Sequence, residues 1–308
     1  MRRVIALAAA TAALAFAAVP VRAEGEKTYS FPERETWKVG DVATHTETSH
    51  KVQRQLVKSP DGTVMQDQSA EENVAYEAVL ACREVNQAGD YTKAVVFFKS
   101  WSRTVGGQKD ESLAGMHVEL SGPPTGRTVR VLAADAKVSP EAASWLDEEL
   151  GKGARRESES GKVFLPENPV AVGASWSPPF AVLAKAFDGG GLQFDEAKSS
   201  AKLTLKAVED GVATLDIDFQ MQTKGLPAGP EPVAWSEGGV LSIKGVGRKA
   251  IEAGDHRNDH TLTVTFQGSA PVQGGPIVTI SVTQEGGSKT VAGGEMPAVP
   301  GEDDADPK

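Results

Sequence analysis

Five histidines are the side chains best suited to chemistry near neutral pH: His45, His50, His117, His256 and His260. The densest polar cluster is Asp255-His256-Arg257-Asn258-Asp259-His260. Its two imidazoles and two carboxylates are of the types that hold Zn²⁺. An i, i+4 pair of rings meets only on a helix, however. Gly254 heads this segment and strand-like runs flank it, so a solvated hairpin tip is expected. His45 and His50 are five positions apart and on a strand point to opposite faces. His45 and Glu47 share a face, but two groups alone make no site.

Nucleophile signatures are poor. There is no Gly-x-Ser-x-Gly elbow. Ser199 and Lys202 have the spacing of a Ser-Lys pair, yet Ser199 leads into an alternating strand that turns the two side chains to opposite faces. Gly189-Gly190-Gly191 follows a helix and precedes a strand, so it reads as a connector and not as an anion cradle at a helix start. Asp216 and Asp218 lie on the wet face of a hairpin. Cys82 is the sole cysteine, so no intrachain disulfide can form; a small buried residue is expected there, not a nucleophile. The sequence assigns no catalytic residue, no metal ligand and no cofactor, and leaves the ligand-binding residues unknown. The chain is expected not to be an enzyme.

The elements that would position any site are mostly strands. Leu203, Leu205 and Ala207 alternate with Lys202, Thr204 and Lys206. After Glu209-Asp210-Gly211, Ala213, Leu215, Ile217, Phe219 and Met221 alternate with polar residues, which makes a hairpin with one apolar face. Leu262, Val264 and Phe266 alternate with threonines, as do Val278, Ile280 and Val282 with Thr279, Ser281 and Thr283. Val95 to Phe98 is apolar on both faces, so Tyr91 to Val105 reads as a doubly covered central strand. Two short helices are expected. One spans 139–150, capped by Ser139 with Pro140 at its first position. The other, 177–187, has Phe180, Leu183, Ala184 and Phe187 at helical spacing. Ser69 to Val85 fits a helix by one periodicity and a strand by another.

That segment reads as a strand if the chain is internally duplicated. Trp37-Lys38-Val39-Gly40 and Val172-Gly173-Ala174-Ser175-Trp176 precede comparable strand sets, and each Trp is expected to plug the end of a sheet. The fold class expected is mainly β: long antiparallel strands in two similar halves, as a sandwich or open half-barrels, with two short helices. The halves fall at 24–165 and 166–285, with Gly286–Lys308 a disordered acidic tail rich in Gly, Pro, Asp and Glu.

Residues 1–23 read as a secretory signal peptide. Arg2 and Arg3 precede an apolar run from Val4 to Val19, then Pro20 and Val21-Arg22-Ala23. The expected location is periplasmic or secreted, with no transmembrane segment after signal removal. Three arginines leave with the signal, so 29 basic and 42 acidic residues remain, a net charge of −13. Without a Lys/Arg cluster this excludes nucleic acid as a partner. One Cys excludes a disulfide scaffold, and 32 Gly without a three-residue period exclude collagen.

The phrase Pro169-Val170-Ala171-Val172-Gly173-Ala174-Ser175-Trp176 resembles a Pro-Val-x-Val-Gly-x-x-Trp phrase of uncharacterised exported bacterial β-rich proteins. The resemblance implies long antiparallel strands and brings no catalytic residues. The layout is also similar, in architecture only, to periplasmic lipoprotein carriers, open half-barrels with helices plugging a concave apolar face. The function expected is an exported, non-enzymatic cell-envelope protein of binding or scaffolding type, with an unknown envelope partner. One alternative is a periplasmic carrier of apolar ligands such as lipids, with the two helices as lids. Another is a hydrolase with a dispersed active site.

Overall fold

The computed structural model describes residues 27–32, 35–123, 126–132, 137–153, 164–187, 193–226, 233–271 and 275–300. The expected signal peptide and Gly189-Gly190-Gly191 lie outside them.

The protein is mainly β. Its first long strands are β2 (Val42–Lys58), β3 (Val64–Val85) and β4 (Tyr91–Val105), preceded by the short β1 (Thr28–Tyr29). Short strands β5 (Gln108–Asp110), β6 (His117–Ser121) and β7 (Thr128–Val131) lead to helix α1 (Pro140–Leu146). Then come β8 (Val170–Ala171), β9 (Ser175–Trp176) and helix α2 (Phe180–Phe187). The rest comprises β10 (Ser200–Glu209), β11 (Val212–Gln222), β12 (Gly225–Leu226), β13 (Val233–Ala234), β14 (Glu237–Ala250), β15 (Asn258–Pro271) and β16 (Ile277–Ala292).

One twelve-stranded antiparallel sheet dominates, in the order β7-β6-β4-β3-β2-β16-β15-β14-β11-β10-β9, with β5 beside β4. The expected β10–β11 hairpin forms around Asp210 and Gly211, both at positive φ. β4 is central as expected, with Val95, Val96 and Phe98 buried between β3 and β6. Ser69–Val85 lies wholly within β3, so the strand periodicity prevails: tertiary pairing with β2 and β4 overrides the helical pattern.

The paired rows of residues show that one face carries two cores. Leu203, Phe219, Ile243, Val264, Phe266 and Val282 form the first, closed over by Leu183 of α2 with Phe180 and Trp235. Val74, Ala78, Val96, Phe98, Trp101 and Leu120 form the second, closed by Ala142, Trp145 and Leu146 of α1. The row Val74–Ser49–Gly286–Leu262 runs straight from one core to the other, so both lie on the same side. The other side buries Val79, Ala81 and Val95 across β3 and β4 but is threonine-rich and wet over β10, β11, β14 and β15. Cross-strand pairs such as Lys206–Asp216 at 3.3 Å and Lys244–Asp218 at 3.9 Å lie there, and exposed pairs of this kind add little stability.

α1 begins where expected: the Ser139 hydroxyl accepts from the Ala142 backbone N–H at 3.0 Å. It gives way to a π-helical turn over Asp147–Gly153. One expectation about a boundary changes. β16 runs to Ala292, so Gly286–Ala292 is a central strand and not the start of a tail. Gly286 and Gly287 fit there because a Cβ would meet Thr48 O at 2.7 Å or His260 O at 2.6 Å. Beyond it, Gly293 N donates to Val42 O and Val299 is buried. The two expected halves also meet within one continuous sheet at the β2–β16 pairing. β1 crosses to pair with β8, and Tyr29 and Phe31 pack on the small core of Leu205, Ala213 and Leu215.

Trp176 sits on edge strand β9 between that small core and the first large one. Its indole N–H donates to Phe164 O at 2.9 Å.

Candidate functional site

The polar side chains that converge lie between the two cores. Position 47 of β2, position 288 of β16 and position 260 of β15 form one paired row, and Tyr76 of β3 continues it. Strand register alone therefore brings Tyr76, Glu47, Ser288 and His260 side by side on the core-bearing face. A period of two places His45 next to Glu47 on that face, and Thr290 lies opposite His45.

These groups are connected. The Tyr76 hydroxyl donates to Glu47 Oε2 at 2.8 Å. His45 Nε2 lies 3.5 Å from the same oxygen, and His45 Nδ1 lies 2.8 Å from Thr290 Oγ1. Ser288 Oγ is 3.1 Å from His260 Nδ1. Tyr76 also touches His45 and Trp145 through its ring, at centroid distances of 5.5 and 5.4 Å, which ties the cluster to the second core. A groove of about 800 Å³ opens across β2, β3, β15 and β16. Glu47, Ser49, His260, Leu262, Gly286 and Ser288 line it. The small residues Ser49, Gly286 and Ser288 leave the volume that bulkier strand residues would fill.

Burial and bonding act against each other at Glu47. Burial alone would raise its carboxyl, but hydrogen bonds from His45 and Tyr76, with the charges of His45 and His260, outweigh that and hold it below the ordinary Glu range. Burial pushes His260 below the ordinary His value, and the Glu47 charge offsets part of that. At neutral pH the groove therefore holds a carboxylate beside a neutral imidazole.

Both groups have depressed folded-state values, so the stability they contribute is complete above their unfolded values and is lost as pH falls. Acidification from neutrality should first weaken the fold through His260, below about 6.5. Glu47 follows below about 4.5. Urea midpoints measured from pH 7.5 to 5.5 should decline, and His260→Gln should flatten that decline. An equal slope in the variant would assign the effect to other groups.

The other expected positions are placed as follows. Of the 255–260 segment, Asp255, His256 and Arg257 lie in the β14–β15 turn and Asn258–His260 begin β15, and the turn is not fully solvated as expected. His256 is buried, its ring stacked on Trp37 at 3.9 Å, with Asp41 Oδ2 at 3.5 Å and Glu35 Oε2 at 4.0 Å. The segment 35–41 folds across the tip and covers it, so Trp37 does close an end of the sheet. His50 is on the opposite face from His45, hydrogen-bonded to Asn73 at 2.7 Å. His117 is buried against Phe97. Ser199 caps a short 3-10 turn and donates to Asp195 O. Cys82 is buried; burial and the Asp41 charge push its thiol upward. Among the described residues no group of three or more His, Cys, Asp or Glu is arranged to hold a metal ion.

Tyr76 and Ser288 are functional candidates that sequence reasoning missed, and His260 was weighed there only together with His256. The signal was His45-x-Glu47 sharing one strand face and a Gly-Gly-Ser interruption inside a strand.

No protein-family model matches this chain. No curated protein matches it either. Among solved structures, one described as lipid–protein interactions in lipovitellin is similar with a TM-score of 0.34 and 6% identity. The likeness covers 85% of this chain and 26% of that one. Among the described residues no helix is long and apolar enough to cross a membrane.

Proposed function

We propose that this chain is an exported ligand-binding protein of the cell envelope, without catalytic chemistry of its own, and that its site is the groove between the two helix-covered cores. One observation carries the reading: a cavity of about 800 Å³ in which Glu47, His260 and Ser288, from three different strands, converge beside the apolar side chains of Val74 and Leu262. A ligand of mixed character suits it, with a polar group on Glu47, His260 and Ser288 and an apolar part along Leu262. The two cores themselves are filled by Leu183, Trp145 and Leu146. A carried tail must share space with α1 or α2, which gives those helices the part of lids.

Hydrolysis is less well supported. Ser288 does meet His260, but Glu47 directs its bonds to Tyr76 and His45. The Ser–His pair thus lacks the orienting acid that a serine hydrolase uses.

The test is a native mass spectrum of gently purified protein. The expected result is a co-purifying small molecule that Glu47→Gln retains more weakly. A bare polypeptide would overturn the proposal if, in addition, an envelope lipid extract left the His45 and His260 ring signals unmoved in NMR spectra.

A further inference from the structure

We infer that the ligand of this groove carries a positively charged nitrogen. The inference rests on the binding reading above and narrows it. The two oxygens of Glu47 are in unlike situations. Oε2 takes both the Tyr76 hydroxyl and the His45 ring, whereas Oε1 has no hydrogen-bond partner among the described residues. The Glu47 side chain keeps 36% of its exposure, so that oxygen has access to solvent while its carboxylate is fixed from behind. A fixed carboxylate with one open oxygen is a recognition element for a charged donor.

In the row across Glu47, its neighbours on this face are Tyr76, Ser288 and His260, while the alternation turns Asp259, Glu285 and Lys289 to the other face. An anionic headgroup would meet Glu47 with nothing on its near side to offset the repulsion, since His260 is held neutral by burial. The rings of His45 and Tyr76 pack on each other and flank the carboxylate.

Three probes with the same twelve-carbon tail separate head charge from apolar affinity: dodecylammonium, dodecyl maltoside and dodecanoate. Each is titrated below its micelle concentration into the folded protein at pH 7.5, with binding read by calorimetry. Dodecylammonium should bind about tenfold or more tighter than the maltoside, the worth of one charge-assisted hydrogen bond. In Glu47→Gln, checked for folding by circular dichroism, the gap should close to about twofold or less. The ranking on wild-type protein decides the matter even if the variant fails to fold. Equal binding of ammonium and maltoside, or tighter binding of dodecanoate, would overturn the cation preference and leave the groove as a binding site. Binding of none of the three would overturn the proposed function itself.

Discussion

Trp101→Ala should lower the free energy of unfolding by about 3–5 kcal/mol, the usual cost of truncating a large buried aromatic side chain. Trp101 lies on β4, is 1% exposed, and packs on Trp145 of α1 at a centroid distance of 5.6 Å. Trp145 in turn touches Tyr76 and Phe98. The indole is therefore the piece that lets a single short helix close the second core. Removing it leaves a cavity between sheet and helix that neither can collapse into, because β4 is held by β3 and β6. Urea unfolding should show the loss as a lower midpoint with little change in slope. A midpoint within error of wild type would mean that α1 does not depend on this contact.

Gly245→Ala should cost about 3 kcal/mol, the upper end of overpacking penalties. Gly245 is in mid-strand on β14, and its φ is not the reason for glycine. A Cβ there would sit 2.1 Å from Thr261 O and 2.7 Å from Leu262 Cδ2. The first neighbour is backbone of the adjoining strand and cannot rotate away, so β14 and β15 must separate locally. Gly247→Ala is the control two residues on. Its nearest contact would be Ile217 Cδ1 at 3.6 Å, and there Ala should be neutral or stabilise by about 0.4–1 kcal/mol through the unfolded chain. If both variants melt together, close approach of β14 to β15 is not what requires glycine at 245.

The strands were legible where one face is dry and the other wet. Lys202 to Met221 alternates so cleanly that both the hairpin and its turn follow from period and Asp-Gly alone. Ser69–Val85 was ambiguous because its residues satisfy both periods, and only pairing with β2 and β4, invisible in one sequence, decides it. The end of the last strand was hidden by composition. Gly286 and Gly287 read as tail residues, yet they lie where neighbouring backbones come closest. The site was half visible. His45 and Glu47 were seen to share a face, but Tyr76, Ser288 and His260 reach them from 29 to 241 positions away through three strand pairings. Burial of His256 was missed for a related reason, since its cover comes from residues 35–41.

The pairing of β2 with β16 has a consequence for how the molecule comes into being. Val42–Lys58 finds one of its two sheet neighbours in Ile277–Ala292, more than two hundred residues later in the chain. While the ribosome is still making the middle of the polypeptide, β2 has an open edge and the carboxylate cleft has no far wall. Closure of so distant a loop is slow. A nascent chain of this topology stays unzipped at its centre until Ile277–Ala292 has emerged.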